Sequence, residues 1–118
     1  MATNLGELEA TAQMLVAPAK GILAADESTG TIAKRLESIG VENTEANRRD
    51  YREMLFRSDG AGDYISGVIL YDETIRQAAA DETPMVNLLT DQGMMPGIKV
   101  DTGAKSLAGA DGELVTEG

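Results

Sequence analysis

GILAADESTGTIAKR, which runs from Gly21 to Arg35, is the stretch around which the other segments can be placed. It begins with a short apolar run, Gly21 to Ala25, which is typical of a strand buried on both faces of a parallel sheet. Asp26 and Glu27 then place two carboxylates at the carboxyl end of this strand. Small hydroxyl residues and a glycine follow, and apolar residues recur at helical spacing from position 32. The stretch therefore predicts a strand, a polar turn and a helix.

Two interpretations of this turn remain open from the residues alone. Free N–H groups and the positive dipole end at a helix N-terminus attract anions, and the hydroxyls of Ser28 and Thr31 with the guanidinium of Arg35 would complete a phosphate site. The alternative is an ordinary turn in which Ser or Thr caps the helix while Lys34 and Arg35 lie on a solvated face.

The flanking segments predict an α/β fold. Asn4 to Ala17 has an amphipathic helical pattern, with Asn4 and Glu7 spaced as in a capping box. A buried strand is predicted at Tyr64 to Leu70 and a short strand at Gly97 to Val100, and strands that alternate with helices indicate a parallel sheet. The other predictions are helices from 31 to 39, 45 to 57 (with Tyr51, Met54 and Leu55 inward) and 74 to 80, an ambiguous segment from 84 to 90, and a Gly-rich loop from 101 to 118.

Composition excludes several classes of function. The formal net charge is −10, from 20 acidic and 10 basic residues, which argues against nonspecific nucleic-acid binding. The sequence contains neither Cys nor His, so thiolate metal sites and imidazole bases are excluded, and carboxylates, Lys and Tyr remain for acid–base chemistry. No apolar run is long enough to span a membrane and no signal peptide is evident, so we expect a cytoplasmic protein.

Most of the basic residues fall in one 24-residue window. They either form a local positive patch or make intrahelical ion pairs along two helices. The residues concerned are Lys34, Arg35, Arg48, Arg49, Arg52 and Arg57.

Reactive side chains in βα folds lie where strands end and loops begin. Asp26 follows the first strand, Asp72 and Glu73 follow the second, and Lys99 interrupts the third. The Lys99 ammonium either points into a barrel mouth or extends to solvent at a sheet edge. In a barrel mouth it would pair with Asp26, bind a phosphate or, with a lowered pKa, act as an amine nucleophile.

The run KGILAADESTGTIAKRL resembles the first strand and turn of class I fructose-bisphosphate aldolases, and the resemblance continues in order through SIGVENTEANRRDYREML, SGVILYDETI and PGIKVDTGAKSLAG. It covers nearly all of the sequence from Leu15 onward. The resemblance implies a partial (β/α)₈ TIM barrel containing about the first three strands, with residues 1–118 as the N-terminal fragment of one barrel domain, because a whole barrel needs about 250 residues.

The resemblance also implies roles for individual residues. Asp26 matches a catalytic aspartate that orients the substrate. Lys99, in the GIKVD motif, matches a phosphate-binding lysine rather than the Schiff-base lysine, which lies on a later strand. The other expected substrate or phosphate contacts are Ser28, Thr31 (where most relatives have serine), Arg35 and Arg48. Asp72 receives no role, and Lys34 and Glu27 are expected to form ion pairs.

For the whole protein, the resemblance implies reversible cleavage of fructose 1,6-bisphosphate to two triose phosphates by a cytoplasmic homotetramer, without metal or cofactor. The imine on lysine is the electron sink in that class, so this chain is expected to be inactive alone because it lacks that lysine. The alternative is a non-catalytic binding or interaction module, or a nonfunctional remnant. The gene beyond codon 118 would distinguish these two possibilities.

Overall fold

The computed structural model describes residues 4–118. The helices and strands alternate along most of this range. In chain order they are α1 (Leu5–Leu15), β1 (Gly21–Ala25), α2 (Thr29–Ser38), α3 (Glu45–Phe56), α4 (Ala61–Tyr64), β2 (Ile65–Leu70), α5 (Asp72–Ile75), α6 (Met85–Thr90), β3 (Met95–Ile98), β4 (Ala104–Ser106) and β5 (Leu114–Thr116).

The predicted parallel sheet is present. In the described part of the chain, β1, β2 and β3 pair in that order, and both pairings are parallel. Gly21 is in register with Ile65, and Leu70 with Ile98. All three strands therefore end at the same edge of the sheet, and that edge carries the residues predicted to be reactive.

Side-chain caps determine where α1 and α3 begin. The Asn4 side chain accepts a hydrogen bond from the Glu7 backbone N–H, which confirms Asn4 as the cap, and the Glu7 carboxylate accepts from the Asn4 side-chain amide rather than from its backbone N–H as in a full capping box. Thr44 Oγ1 accepts from the Asn47 N–H at the start of α3. Gly40, with φ +70°, follows the end of α2 as a left-handed C-terminal residue.

The core lies between the sheet and the helices that follow β1 and β2. Its members are the buried apolar side chains of Ala25, Phe56, Val68, Leu70, Ala79, Met85, Leu88, Leu89 and Met94. The central strand β2 supplies two of these residues, and its Gly67 lies against the Leu15 side chain of α1 on the opposite face. Thus β2 is covered on both faces.

The prediction that β1 is buried on both faces is wrong for the described chain. Leu23 and Ala25 pack on the core, whereas Ile22 is 49% exposed on the other face. The reason is topological, because β1 is an edge strand that pairs with β2 alone.

Three other local predictions are corrected. The helix expected at 74 to 80 is the single turn α5, after which Ala78 forms an isolated bridge with Pro84. Met54 is exposed, and Arg52 and Phe56 take the buried positions of α3. The loop expected from 101 to 118 contains an antiparallel hairpin, β4–β5.

Candidate functional site

A pocket of about 640 Å³ lies at the carboxyl ends of β1 and β3. It combines residues from the β1–α2 turn with residues that follow β2 and β3. The lining residues are Asp26, Glu27, Ser28, Thr31, Tyr71, Lys99, Asp101, Thr102 and Gly103. Four of the six residues proposed from the sequence as site residues therefore share one pocket: Asp26, Ser28, Thr31 and Lys99.

The β1–α2 turn brings the N-terminus of α2 to this pocket. Ser28 occupies the N-cap position, and its carbonyl accepts from the N–H groups of Thr31 and Ile32 at 2.9 and 3.0 Å. Its hydroxyl does not cap the helix but lies 3.1 Å from the Thr31 hydroxyl. The two hydroxyls thus form a pair at the pocket wall. The interpretation as an ordinary turn is confirmed in part, because Ser28 is the N-cap residue and Lys34 and Arg35 are exposed, but the Ser28 hydroxyl makes no capping hydrogen bond.

Lys99 lies immediately beyond β3 rather than within it, since that strand ends at Ile98. The Lys99 backbone N–H still donates to the Leu70 carbonyl over 2.9 Å, so the backbone remains attached to the sheet. Its Nζ atom is 2.7 Å from Asp101 Oδ2 and 3.5 Å from Asp26 Oδ2. The predicted pairing with Asp26 is therefore present.

These carboxylates keep the Lys99 ammonium charged. The hydrogen bond to Asp101, and then its charge and that of Asp26, raise the pKa of Lys99 above its ordinary value. A lysine nucleophile needs the opposite shift, so the environment of Lys99 favours cation chemistry over amine chemistry.

Asp101, Thr102, Gly103 and Tyr71 line the pocket although sequence reasoning assigned them no role. Asp101 Oδ1 accepts from the Gly103 N–H over 3.0 Å, which orders the segment after β3. The Lys99 ammonium, and then the Gly103 N–H, hold the pKa of Asp101 below its usual range. The two-residue separation of Lys99 and Asp101 was the available sequence signal for this pair.

Arg35 and Arg48, the other two predicted site residues, are not among the residues that line the pocket. Arg35 is 55% exposed in its side chain, and its Nη1 atom lies 2.5 Å from Glu27 Oε1. Arg48 makes a two-point contact with Glu73 of α5, in which Nε and Nη2 each donate over 2.8 Å. The hydrogen bond from Arg48 lowers the pKa of Glu73.

Ion pairing accounts for all five arginines of the basic window. Apart from Arg35 and Arg48, Arg49 pairs with the adjacent Asp50, and Arg57 pairs with Glu53 and Asp81. Arg52 pairs with Glu27, which confirms the ion-pair role expected of Glu27. A continuous positive patch is therefore not the better interpretation of this window. The expected intrahelical pairs are confirmed only in part, because the pairs of Arg35, Arg48 and Arg52 join different elements.

The buried Arg52 was missed by sequence reasoning. Its side chain is 0% exposed, and Nη2 donates to the Glu27 carbonyl over 2.6 Å and lies 3.5 Å from Glu27 Oε2. Burial lowers the pKa of Arg52, an effect that the neighbouring carboxylates of Glu27 and Glu73 oppose. Glu27 lies between Asp26 and Ser28 in the turn. Its contacts with Arg52, which does not line the pocket, therefore help to hold this turn in place.

Residues 4–118 contain no cluster of three or more His, Cys, Asp or Glu side chains suited to hold a metal ion. Over the same range, every helix is too short or too polar to cross a membrane.

Comparison with known proteins identifies the family. Residues 7–118 match the family model described as "Fructose-bisphosphate aldolase class-I". The chain is 58% identical over 115 residues to a probable fructose-bisphosphate aldolase class 1 of Xanthomonas campestris pv. campestris, covering 98% of this chain and 34% of the relative. It is 57% identical over 112 residues to fructose-bisphosphate aldolase 6, cytosolic, of Arabidopsis thaliana, covering 95% of this chain and 31% of the relative.

A solved structure agrees with these relatives. Fructose-bisphosphate aldolase from Plasmodium falciparum, in complex with TRAP and a small-molecule inhibitor, superposes with a TM-score of 0.89 at 51% identity, covering 96% of this chain and 33% of that one. The chain thus spans about a third of the length of the proteins that it matches. On the family match and these identities, the chain belongs to the class I fructose-bisphosphate aldolases.

Proposed function

We propose that this chain supplies part of the sugar-phosphate site of a class I aldolase that reversibly cleaves fructose 1,6-bisphosphate. The observation that carries the proposal is the convergence of a charged lysine, a pair of hydroxyls and a helix N-terminus on one pocket. Lys99, Ser28 and Thr31 all line that pocket. Each is a group that binds phosphate oxygens, and together they would place one phosphate near the start of α2.

The residues have different tasks in this proposal. The Lys99 ammonium gives a charge-assisted contact, and the Ser28 and Thr31 hydroxyls donate to the remaining phosphate oxygens. The Asp26 carboxylate, 24% exposed and directed at Lys99, is positioned to orient a substrate hydroxyl or a neighbouring lysine. Thr31 differs from the usual serine only by a methyl group, which preserves the donor.

Arg35 and Arg48 differ in how readily they could contact a substrate. Arg35 follows Thr31 by one helical turn and would reach a phosphate by exchanging its contact with Glu27. Arg48 would have to leave a two-point contact with Glu73, so in this proposal its effect on substrate is indirect. Arg35 is therefore the candidate for direct contact with substrate, whereas Arg48 would act through its contact with Glu73.

The proposed architecture is a (β/α)₈ barrel of which residues 1–118 form the N-terminal part. What supports it is the consecutive parallel order of β1, β2 and β3, with the pocket at their carboxyl ends. The lysine that forms the imine would lie in the remaining two thirds, so this chain alone would be inactive. No metal is needed, because the imine is the electron sink.

The proposed setting is a cytoplasmic homotetramer. The cytosolic name of the Arabidopsis relative supports the compartment. For the oligomeric state the support is the family resemblance alone, and sedimentation of the full-length protein would measure it.

The function is tested with the full-length protein that carries this chain. It should cleave fructose 1,6-bisphosphate in the presence of a chelator, and borohydride should trap dihydroxyacetone phosphate on a lysine outside residues 1–118. An adduct on Lys99 would overturn its assignment as a phosphate-binding residue. A full-length protein without cleavage activity would favour the non-catalytic alternative.

A further inference from the structure

We propose that Asp101 limits the affinity of the pocket for anions by competing with the incoming phosphate for the Lys99 ammonium. This inference rests on the proposed phosphate-binding function of the pocket. It concerns a residue with no role in the resemblance, and it follows from three contacts at the end of β3.

The first observation is that both oxygens of Asp101 are engaged. Oδ2 lies 2.7 Å from Lys99 Nζ, and Oδ1 accepts from the Gly103 N–H over 3.0 Å. The carboxylate is therefore held in one orientation, across the donors that an anion would use. All three residues line the same pocket.

The second observation is the local balance of charge. Asp26 Oδ2 lies 3.5 Å from the same Nζ, so two carboxylates share one ammonium. An anion that enters while both carboxylates stay in place meets a net negative charge at the pocket end of Lys99. Binding to Lys99 thus requires that one carboxylate give up its contact.

Asp101 is the carboxylate better placed to leave. It is the more exposed of the two, at 36% against 24% for Asp26, and it lies in a short segment after β3, whereas Asp26 directly follows β1. When Asp101 leaves, the Lys99 ammonium and the Gly103 N–H are both released. An anion that displaces Asp101 therefore gains two donors at once.

This exchange favours one chemical class of ligand. A phosphate ester carries close to two negative charges and three acceptor oxygens, so it can replace both contacts of Asp101. A monoanionic carboxylate offers no charge advantage over Asp101 itself. Every anion that uses these donors must displace the same carboxylate, so Asp101 lowers the affinity for monoanions and dianions alike, and the preference for dianions comes from the donors themselves.

The test measures anion binding rather than cleavage, so it is separate from the aldolase assay. Sulfate, a dianion, and acetate, a monoanion, are titrated calorimetrically into the full-length protein at constant ionic strength. Asp101→Asn removes the charge and keeps an oxygen that can accept from Gly103. Asp111→Asn is the matched control, because Asp111 is an exposed residue of the β4–β5 connection outside the pocket.

Asp101→Asn should bind sulfate about tenfold more tightly than the wild type, the order of one charge-assisted contact. Acetate affinity should rise by no larger a factor, because the charge that is removed repels a dianion at least as strongly as a monoanion. Asp111→Asn should leave both affinities unchanged. Circular dichroism of both variants confirms that the comparison is between folded proteins.

Weaker sulfate binding by Asp101→Asn would overturn the inference, because Asp101 would then position Lys99 rather than compete for it. Equal affinities in the two variants would also overturn it, as would the absence of sulfate binding in every protein tested. A wild-type full-length protein that does not cleave fructose 1,6-bisphosphate would contradict the proposed function alone, provided that the variants show the expected sulfate affinities.

Discussion

The guanidinium of Arg52 is fully buried and holds the backbone carbonyl of Glu27 at 2.6 Å, which ties α3 to the turn between Asp26 and Ser28. Arg52 Nε and Nη1 have no hydrogen-bond partner within the described chain. Burial of a charged guanidinium with unpaired N–H groups costs free energy, and the contact with Glu27 offsets part of this cost. The position of the pocket wall therefore depends on a residue outside the pocket.

Replacing Arg52 with methionine should destabilise the full-length protein by about 3 kcal/mol, because removing one partner of a buried pair leaves the other poorly compensated. Arg57→Met is the control, since Arg57 is 42% exposed and its pairs should contribute less than about 1 kcal/mol. Chemical denaturation measures both changes. Similar shifts for the two variants would show that the Arg52 contact does not stabilise the turn.

On the proposed function, Lys99→Ala in the full-length protein should lower kcat/KM for fructose 1,6-bisphosphate by about ten- to a hundredfold, the value of one charge-assisted contact. The loss in kcat/KM should be much smaller for a substrate that lacks the phosphate proposed to bind Lys99. Lys105→Ala is the control, because Lys105 is an exposed lysine of β4. Equal losses on both substrates would make Lys99 a structural residue.

Arg35 and Arg48 should separate in steady-state kinetics. Arg35→Gln should raise the KM for fructose 1,6-bisphosphate, since the exposed Arg35 side chain is free to exchange its contact with Glu27 for one with a phosphate. Arg48→Gln should mainly lower stability, because it removes the two-point contact between α3 and α5. An increase in KM for Arg48→Gln, without a change in the denaturation midpoint, would restore Arg48 as a direct substrate contact.

Asp81 should titrate at about pH 2, well below its ordinary pKa of 3.8. The Thr83 backbone N–H lowers this pKa most, with further contributions from the Thr83 side chain and Arg57. Because the folded pKa lies below the unfolded one, the associated stability is complete above the ordinary value. It is lost as the pH falls toward about 2.

Carboxyl-carbon NMR checks the Asp81 prediction, since the Asp81 signal should remain that of a carboxylate near pH 3. Arg57→Met should raise this pKa only in part, because the Thr83 contact remains. In Asp81→Asn, the denaturation midpoint should lose the corresponding dependence on pH. Titration of Asp81 near 3.8 in the wild type would contradict the prediction.

The sequence predicted best those features whose causes are local. Gly21–Ala25 is an apolar run with polar residues after it, and its strand has the expected bounds. Asn4 and Thr44 carry the oxygens that cap their own helices. The meeting of Asp26 and Lys99 was also predictable, because both follow parallel strands and such strands end at one edge.

Features that depend on distant partners were not predictable. Arginine is usually exposed, so the burial of Arg52 depends on Glu27, which lies on another element. The partner of Arg48 is likewise on α5. The β4–β5 hairpin has strands of three exposed residues each, too short for an alternating pattern to be recognised.

The parallel pairing of β1 with β2 also determines the order in which the chain can fold as it is made. Gly21 is in register with Ile65, so β1 leaves the ribosome about forty residues before its partner. At roughly 5–20 residues per second, β1 waits several seconds with both of its edges unpaired. The apolar face that carries Ile22 is open in the same interval, so β1 is able to pair with other chains until β2 emerges.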